Sequence, residues 1–455
     1  MPASPSRQAA DAWLAAVEER SAYLSELLRG PRARQLSPAD RRLAQEIAFG
    51  VLRHRAELDY RIRVAARRPV EKIAPAALRA LRIGFYQLLF LTRVPEVAAV
   101  HESVELAKPA GAKTAGFVNA VLRNHLRQQP RPTLAALLAR EDDPLARRAI
   151  ETSHPGWLLA RWQARWDEEE LRRICAFDNE PPMAALRLAP GLDAAAAAEA
   201  LAAEGIATAP AALLTGALRV THGDAAHSAL LAAGQIAIQD EASQLIPLLL
   251  EPAGRPRLLD CCAAPGGKTA ILRAAAPGAR LVAMERHLHR ARALRRRLGA
   301  DVPVLVGDAT QALPLAGGFD GILLDAPCTG TGTLQRHPEI RWRLRPEDPA
   351  RLGRYQAAML DHALAALAPG GALLYAVCSL EREEGEQVIA AALARHRGIR
   401  RQPLGPVLEK LIAAGRLPPE AAALATPEGD FRILPGQFRT EGFFAARLER
   451  SAAPG

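Results

Sequence analysis

Short apolar segments alternate with helical segments in the second half of the chain, and this alternation constrains the fold more than any other feature. The apolar segments, which are typical of buried strands, lie at residues 257–260, 280–284, 302–306, 321–325 and 372–377. Helical segments such as 286–298 and 351–368 lie between them. This order predicts a mostly parallel sheet covered on both faces, with the carboxyl ends of its strands at one edge. Residues 431–434 and 442–448 are expected to add a final strand pair.

The rest of the chain predicts two further domains, three in all. Residues 1–135 are expected to form an all-helical domain, 140–235 a small α+β domain and 236–450 a Rossmann-like α/β domain. A linker rich in Pro and Gln, 128–132, follows the first domain. The helices expected in the first domain are 9–28, 38–51, 56–66, 76–92, 97–107 and 113–128. In the middle domain we expect strands at 184–188 and 217–220 and an alanine-rich helix at 191–205.

The positive charge of the chain is concentrated in its first third. The whole chain has 59 Lys and Arg against 49 Asp and Glu, a net charge of +10. Residues 1–140 hold 23 basic and 12 acidic residues, whereas the remainder holds 36 and 37. A basic domain attached to a neutral one predicts a polyanionic partner, most simply a nucleic acid. The alternative is a well-solvated helical surface.

Composition excludes several classes of protein. A chain that is 49% hydrophobic and 24% charged is not expected to be disordered. It has no run of 18 apolar residues and no signal-peptide pattern at its start, so we expect no membrane span. Five cysteines without a Cys-x-x-Cys pair predict neither a disulfide framework nor a zinc site. We therefore expect a cytoplasmic protein without a metal, acting as a monomer.

A glycine-rich turn follows the first strand of the α/β domain, in the sequence Asp260-Cys-Cys-Ala-Ala-Pro-Gly-Gly-Lys268. Its glycines allow a tight turn and a close approach of backbone to ligand, but the pattern is not a phosphate-binding loop. Glu285 and Asp308 end the next two strands, where carboxylates accept hydrogen bonds from ribose hydroxyls or an adenine amino group. Together they predict a nucleoside ligand without pyrophosphate, S-adenosylmethionine rather than NAD. The alternative is that both carboxylates are helix caps.

Two cysteines lie at the ends of neighbouring strands, in Asp325-Ala-Pro-Cys328 and Val377-Cys378-Ser379. They could be core cysteines, a redox pair or part of a metal site, although no clustered histidines support zinc. A methyltransferase can use them differently. A thiolate that adds to carbon 6 of a pyrimidine turns carbon 5 into a nucleophile, and this is covalent catalysis. A carboxylic acid near ring N3 would stabilise the developing charge, and a second thiol or base would help to release the product.

In this order the motifs resemble those of the bacterial ribosomal RNA small subunit methyltransferase B (Sun/Fmu) family, within the RNA cytosine-C5 methyltransferases. The likeness covers nearly the whole chain. Residues 40–46, 50–53 and 117–123 resemble its antitermination-factor (NusB)-like RNA-binding domain. Residues 154–159, 179–182 with 186–187, and 239–244 resemble its middle segment. The resemblance implies methylation of carbon 5 of a specific cytosine (the 967-type position) in 16S rRNA through a cysteine–C6 adduct. Two alternatives are an enzyme acting on tRNA or another rRNA site, and an RNA-binding factor with an inactive methyltransferase domain.

The resemblance also implies a role for individual residues. Cys378 matches the nucleophile and Cys328 the second cysteine, which assists product release, while Asp325 and Lys268 match groups that face the cytosine. The contacts to S-adenosylmethionine are matched by Cys262, Ala263, Ala264, Pro265, Gly266, Gly267, Lys268, Glu285, Asp308 and Asp325. Val377 and Thr329 stand where the family usually has Thr and Ser, and Glu285 where it often has Asp. None of these removes a required group, so we expect them to affect affinity rather than reaction type.

Overall fold

The structure of the protein is a computed structural model that describes residues 2–128, 130–315 and 317–452. Position 129 of the expected linker lies outside the described residues. The chain divides into two compact units, Met1–Glu180 with Leu334–Leu344, and Pro181–Thr333 with Arg345–Gly455. No helix of the described chain is both long and apolar enough to cross a bilayer.

The first part of the chain is entirely helical. Its helices are α1 (Pro5–Arg20), α2 (Leu24–Leu27), α3 (Pro31–Arg34), α4 (Pro38–Arg53), α5 (Arg55–Ala66), α6 (Pro75–Phe90), α7 (Glu96–Ala107), α8 (Ala112–Arg127), α9 (Leu134–Leu138), α10 (Pro144–Thr152), α11 (Gly156–Gln163) and α12 (Glu168–Asn179). Helix α4 begins as the sequence predicts, because Ser37 Oγ accepts a hydrogen bond from the Asp40 amide at 3.1 Å. The core of the unit includes the fully buried Ile47, Leu81 and Leu122.

The predicted helix 9–28 is wrong in one respect, since α1 ends at Arg20. Ser21 adopts a left-handed conformation, with φ 51°, and the Ala22 amide donates to the Ala16 carbonyl at 3.3 Å. This closing turn normally uses glycine, and its absence here hid the helix end from the sequence. The compact unit also extends past residue 135, because the Ala56 amide of α5 donates to Ser153 Oγ at 2.9 Å.

An eleven-residue segment from much later in the chain, Leu334–Leu344, belongs to this unit. Its Arg341 is fully buried and donates to the Ser153 carbonyl at 3.0 Å and to Asn179 Oδ1 at 2.8 Å. Trp342 donates to the Leu52 carbonyl at 2.7 Å. A buried guanidinium is stable when such acceptors surround it, so the segment is an integral part of the unit.

The second unit begins with a small α+β sheet. Its elements are β1 (Ala185–Leu188), α13 (Ala194–Ala203), β2 (Ala207–Pro210), β3 (Leu218–His222), α14 (Ala229–Ala232) and β4 (Ile236–Ile238). The strand order is β2-β3-β1-β4, and the pairs are antiparallel. The α+β character is as predicted, but β2 and β4 were not expected. Both are short edge strands, and the alanine and proline of β2 carry little strand propensity.

The remaining elements, with one exception, form the large α/β layer. They are α15 (Glu241–Leu249), β5 (Arg257–Asp260), α16 (Gly267–Ala275), β6 (Arg280–Glu285), α17 (Leu288–Leu298), β7 (Val304–Val306), β8 (Phe319–Asp325), α18 (Ile340–Arg343), α19 (Asp348–Ala365), β9 (Leu367–Val377), α20 (Glu386–Arg395), β10 (Ile399–Gln402), α21 (Gly405–Ala413), β11 (Phe431–Ile433) and β12 (Phe443–Arg450). Of these, α18 belongs to the first unit.

The large sheet confirms the mostly parallel fold that the sequence predicts. Its order is β10-β12-β9-β8-β5-β6-β7, with β11 paired to β12. The strands from β5 to β9 are parallel, whereas β12 runs antiparallel to its neighbours. Parallel strands bring Asp260, Glu285, Asp325 and Val377 to one edge, the position where α/β sheets bind ligands.

Candidate active site

The turn after β5 requires glycine at its centre. Gly266 has φ 101°, and a Cβ atom placed on it would lie 2.8 Å from Leu294 Cδ1. Both the left-handed backbone and the close packing therefore exclude a side chain. Next to this turn lies a cavity of about 120 Å³, whose lining includes Cys262, Pro265, Lys268 and Asp325. The turn and the cavity lie where the sequence analysis predicts the nucleoside part of S-adenosylmethionine.

Asp260 holds the two ends of this turn together. It is buried, and its Oδ2 accepts a hydrogen bond from Thr269 Oγ1 at 2.7 Å. Burial raises the pKa of Asp260 to about 7, although the hydrogen bond from Thr269 acts in the opposite direction. The carboxyl group thus titrates near neutral pH, and this is unusual for a residue at a strand end.

Glu285 and Asp308, the two carboxylates predicted to meet the nucleoside, also cap local turns. Glu285 Oε1 accepts the His287 amide at 2.8 Å, and Asp308 Oδ1 accepts the Thr310 amide at 2.9 Å. Asp308 Oδ2 lies 3.2 Å from Arg286 Nε. A carboxylate has about four lone-pair sites, so these bonds fix its orientation and leave capacity for a ligand.

Lys268 and Asp325 form an ion pair inside the site. Lys268 Nζ donates to Asp325 Oδ2 at 2.6 Å and lies 5.1 Å from the centre of the Phe443 ring. Burial lowers the pKa of Lys268, but Asp325 and then Cys378 raise it more, so the net pKa is above the ordinary value. The ammonium group therefore stays charged close to the Cys378 sulfur.

The structure brings the two predicted cysteines into contact. Cys328 Sγ lies 3.4 Å from Cys378 Sγ, well beyond the about 2.05 Å of a disulfide, and both thiols are free. The contact with Cys378, together with burial, raises the pKa of Cys328 well above its ordinary value. Cys328 therefore holds its proton well above neutral pH, within contact distance of the Cys378 sulfur.

A buried glutamate, which sequence reasoning missed, ties the two cysteine loops together. Glu384 Oε1 accepts the Thr329 amide at 2.8 Å, and Oε2 accepts the hydroxyls of Thr329 and Ser379. Thr329 directly follows Cys328, and Ser379 directly follows Cys378. Burial raises the pKa of Glu384, and the hydrogen bonds offset this only in part.

Gln356 of α19 completes this arrangement. Its Nε2 donates to Glu384 Oε1 at 3.0 Å and to the Pro327 carbonyl at 2.9 Å. The loop before Cys328 is thereby tied to the same carboxylate. Glu384 lies in a charged stretch, 381–386, that is typical of an exposed turn, and Gln356 stands in an ordinary helical pattern. Neither residue carries a sequence signal of its buried role.

Three further polar residues that line the cavity were not predicted individually: Gln239, Ser243 and Arg297. Gln239 Oε1 accepts a hydrogen bond from Arg187 Nε at 3.1 Å. The sequence marks the segment 239–244 only through the family resemblance, and its pattern does not predict a position at the cavity. Within the described residues, no group of three or more His, Cys, Asp or Glu side chains is arranged to hold a metal ion.

Family models match three parts of the chain. Residues 247–449 match the 16S rRNA methyltransferase RsmB/F model, 4–127 the NusB family and 154–226 the ferredoxin-like domain of RsmF/B-like methyltransferases. The first match covers the parallel α/β layer, the second covers α1 to α8, and the third covers α11, α12 and strands β1 to β3.

Curated relatives match over almost the full length. The chain is 32% identical to the probable ribosomal RNA small subunit methyltransferase B of Bacillus subtilis, over 95% of this chain and 96% of the relative. It is 35% identical to the ribosomal RNA small subunit methyltransferase B of Klebsiella pneumoniae, over 95% of both chains.

Among solved structures, the crystal structure of PH0851 has the same fold, with a TM-score of 0.77 and 22% identity, covering 99% of this chain and 100% of that one. A methyltransferase homologue from Pyrococcus horikoshii, 25% identical, covers 68% of this chain and 99% of its own, with a TM-score of 0.55.

Proposed function

The chain belongs to the RsmB/F family of S-adenosylmethionine-dependent methyltransferases, and on that premise we propose that it methylates carbon 5 of a specific cytosine in 16S rRNA. The observation that supports this most is the contact between Cys328 and Cys378, beside a charged lysine at the carboxyl edge of the sheet. Methylation of an exocyclic amino group would need no such pair of sulfur atoms.

The donor would be held by the turn 262–268, by Glu285 and Asp308, and by Asp325. When bound, S-adenosylmethionine supplies a methyl group activated on a sulfonium. The carboxylates would orient the nucleoside through hydrogen bonds, and the tight turn at Gly266 allows the backbone to approach it. These assignments rest on the geometry of the strand ends and on the resemblance of the motifs.

Cys378 would act as the nucleophile. Its thiolate forms a bond to carbon 6 of the cytosine, and the electron pair of the C5=C6 bond moves to make carbon 5 nucleophilic. The Lys268–Asp325 pair would face the ring and stabilise the charge that develops at N3 and O2. After the methyl group has reached carbon 5, loss of the carbon 5 proton and breakage of the C6–S bond restore the aromatic ring.

Cys328 would assist this last step. Its raised pKa keeps it protonated, and its sulfur lies 3.4 Å from that of Cys378, so a hydrogen bond from Cys328 would stabilise the departing thiolate. The NusB-like region 4–127 would supply much of the RNA affinity, because the basic excess of the chain lies there. The target base must leave its stack to reach the sulfur, at a cost of about a few kcal/mol.

Transfer of a radioactive methyl group to RNA tests the proposal. Purified protein is incubated with labelled S-adenosylmethionine and, in parallel, with unmodified 16S rRNA, small subunits and bulk tRNA. We expect label in 16S rRNA or small subunits, and bisulfite sequencing should locate one 5-methylcytosine. Label confined to tRNA would favour the tRNA alternative, and binding of RNA without any transfer would favour an inactive methyltransferase domain.

A further inference from the structure

A second basic surface lies in the unit that carries the cysteines, and we propose that it binds the phosphate backbone of the RNA substrate. We call it the arginine face: Arg292, Arg295, Arg296 and Arg297 of α17. The inference rests on the proposed function, because it names a contact region for the same substrate. It is separate from the basic N-terminal region, to which the charge count of the sequence pointed.

The charge count conceals this surface because it averages over a long segment. Residues 286–300 contain six arginines and no Asp or Glu. Without those arginines, the chain from residue 141 onward holds 30 basic and 37 acidic residues, so the rest of this segment carries a small net negative charge. A concentrated positive helix in such a region is a local feature that general solubility does not explain.

The helix directs these arginines away from the core. Ala291, Leu294 and Leu298 are buried on its inner side, and the four arginines are exposed. At 100° per residue, Arg292 and Arg296 lie on the side opposite to the buried residues. They are also four positions apart, where like charges repel each other and destabilise a helix.

Within the described part of the chain, no carboxylate pairs with any of the four arginines. Other exposed arginines of this unit have such partners: Arg257 lies 3.0 Å from Asp320, and Arg351 lies 2.8 Å from Asp348. The macrodipole of the helix favours cations in its last turn, and this accounts in part for Arg295 and its two successors. The macrodipole does not account for Arg292, which lies a turn earlier, and it does not offset the repulsion between Arg292 and Arg296.

The arginine face borders the candidate active site. Helix α17 starts just after Glu285, and Arg297 at its other end lines the cavity that contains Lys268 and Asp325. Burial, and then the nearby Arg297, lower the pKa of Arg187, so positive charge continues onto β1. An RNA strand whose cytosine reaches Cys378, beside this donor cavity, would bring its flanking phosphates towards this face.

A polyanion fits these observations better than a small anion does. Guanidinium groups bind phosphate oxygens with two parallel hydrogen bonds, and several of them along a helix match phosphates repeated along a strand. Such contacts fix the register of the RNA without reading its bases. We therefore expect the arginine face to contribute affinity and salt dependence, but not the choice of base.

The test compares two charge-reversed variants of the full chain. Arg292→Glu/Arg296→Glu alters the arginine face, and Arg280→Glu/Arg397→Glu makes the same change in net charge at exposed arginines away from the carboxyl edge. RNA affinity is measured by filter binding between 50 and 200 mM salt. We expect at least about 10-fold weaker binding for the first variant, and a salt slope reduced by about 0.7–0.9 for each lost phosphate contact.

Binding of S-adenosylmethionine and kcat at saturating RNA should remain within about twofold of wild type, since the two substituted residues, Arg292 and Arg296, are not among the residues that line the cavity. Equal affinities and slopes for the two variants would overturn the proposal, and so would stronger competition by an acidic peptide than by RNA. If charge reversal impairs folding, the milder variant Arg292→Gln/Arg296→Gln should still reduce the salt dependence of RNA binding. A wild-type protein that binds RNA but never forms 5-methylcytosine would instead refute the proposed function.

Discussion

Cys328 and Cys378 end up with their sulfur atoms 3.4 Å apart, although 50 positions separate them in the sequence. Strands β8 and β9 are adjacent and parallel, so the residues that follow them meet at the same edge of the sheet. The two sulfur atoms have different proposed roles, nucleophile for Cys378 and release of the product for Cys328, and each role makes its own prediction.

Replacement of the proposed nucleophile should abolish methyl transfer without disturbing the cofactor site. We expect Cys378→Ala to reduce methylation to background, because no sulfur remains to add to carbon 6. Its affinity for S-adenosylmethionine, measured by calorimetry, should stay within about threefold of wild type. Substantial turnover by this variant would contradict the covalent mechanism.

Replacement of the second cysteine should have the opposite kinetic signature. In Cys328→Ala the Cys378 thiolate loses a hydrogen bond and becomes a poorer leaving group, so release of the product slows. We expect a protein–RNA adduct that survives a denaturing gel and is absent from the double variant Cys328→Ala/Cys378→Ala. A single-variant gel without any adduct would argue against the release role.

The buried carboxylate that joins the two cysteine loops should be needed for their alignment. In Glu384→Gln, an amide NH₂ would face hydroxyl groups that now donate to the carboxylate. Hydrogen bonds to charged groups are worth about 1.5–3 kcal/mol, so we expect kcat to fall by roughly 10- to 100-fold.

The neighbouring Glu383→Gln is a matched control for that experiment, with the same chemical change in a less buried side chain. If the effect is one of alignment, Glu384→Gln should also slow formation of the adduct in the Cys328→Ala background, which a simple loss of stability would not do. Equal kcat values for the two glutamine variants would refute this role.

Asp260 should make the protein less stable as pH rises. Its folded pKa of about 7 lies above the unfolded value of 3.8, so the folded state binds the proton more tightly. Stability is therefore lost between about pH 4 and 7, by on the order of 4 kcal/mol. We expect Asp260→Asn, which can still accept from Thr269, to gain urea resistance relative to wild type at pH 8 but not at pH 4.5.

His125 should produce the reverse dependence in the helical unit. Burial, followed by the charges of Arg61 and Arg131, lowers its pKa from 6.5 to about 4. Because the unfolded chain then takes up a proton that the folded chain refuses, stability falls as pH drops from 6.5 towards 4, by about 3 kcal/mol. Hydrogen exchange in α6 and α8 should report this loss in wild type but much less in His125→Gln; the exposed His222→Gln is the control.

The sequence was sufficient for those parts of the fold that depend on local pattern. Continuous apolar segments predicted the parallel strands, and the order of those strands placed Cys328, Cys378, Lys268 and Asp325 at one edge. The short strands β2, β4 and β10 escaped prediction because they pair at sheet edges, where little burial marks the sequence.

The parts that could not be predicted depend on partners distant in the chain. Glu384 is charged and lies among other charged residues, yet its acceptors are filled by Thr329, Ser379 and Gln356. Its burial is favourable because of those partners. Ser379 is close in sequence, but Gln356 and Thr329 lie 28 and 55 positions away, outside any local window. The arginine face was overlooked for another reason, since a charge sum over hundreds of residues removes a local excess.

The segment Leu334–Leu344 sets a limit on how this protein can be cut into pieces. It leaves the sheet six residues after Cys328, supplies Arg341 and Trp342 to the helical unit and then returns to the sheet. A fragment ending at residue 180 would lack that guanidinium and that indole, and a fragment starting at residue 181 would carry both without their acceptors. No single cleavage point yields two intact halves. Gene fusion or fission at this boundary would therefore have to keep the segment Leu334–Leu344 together with the helical unit.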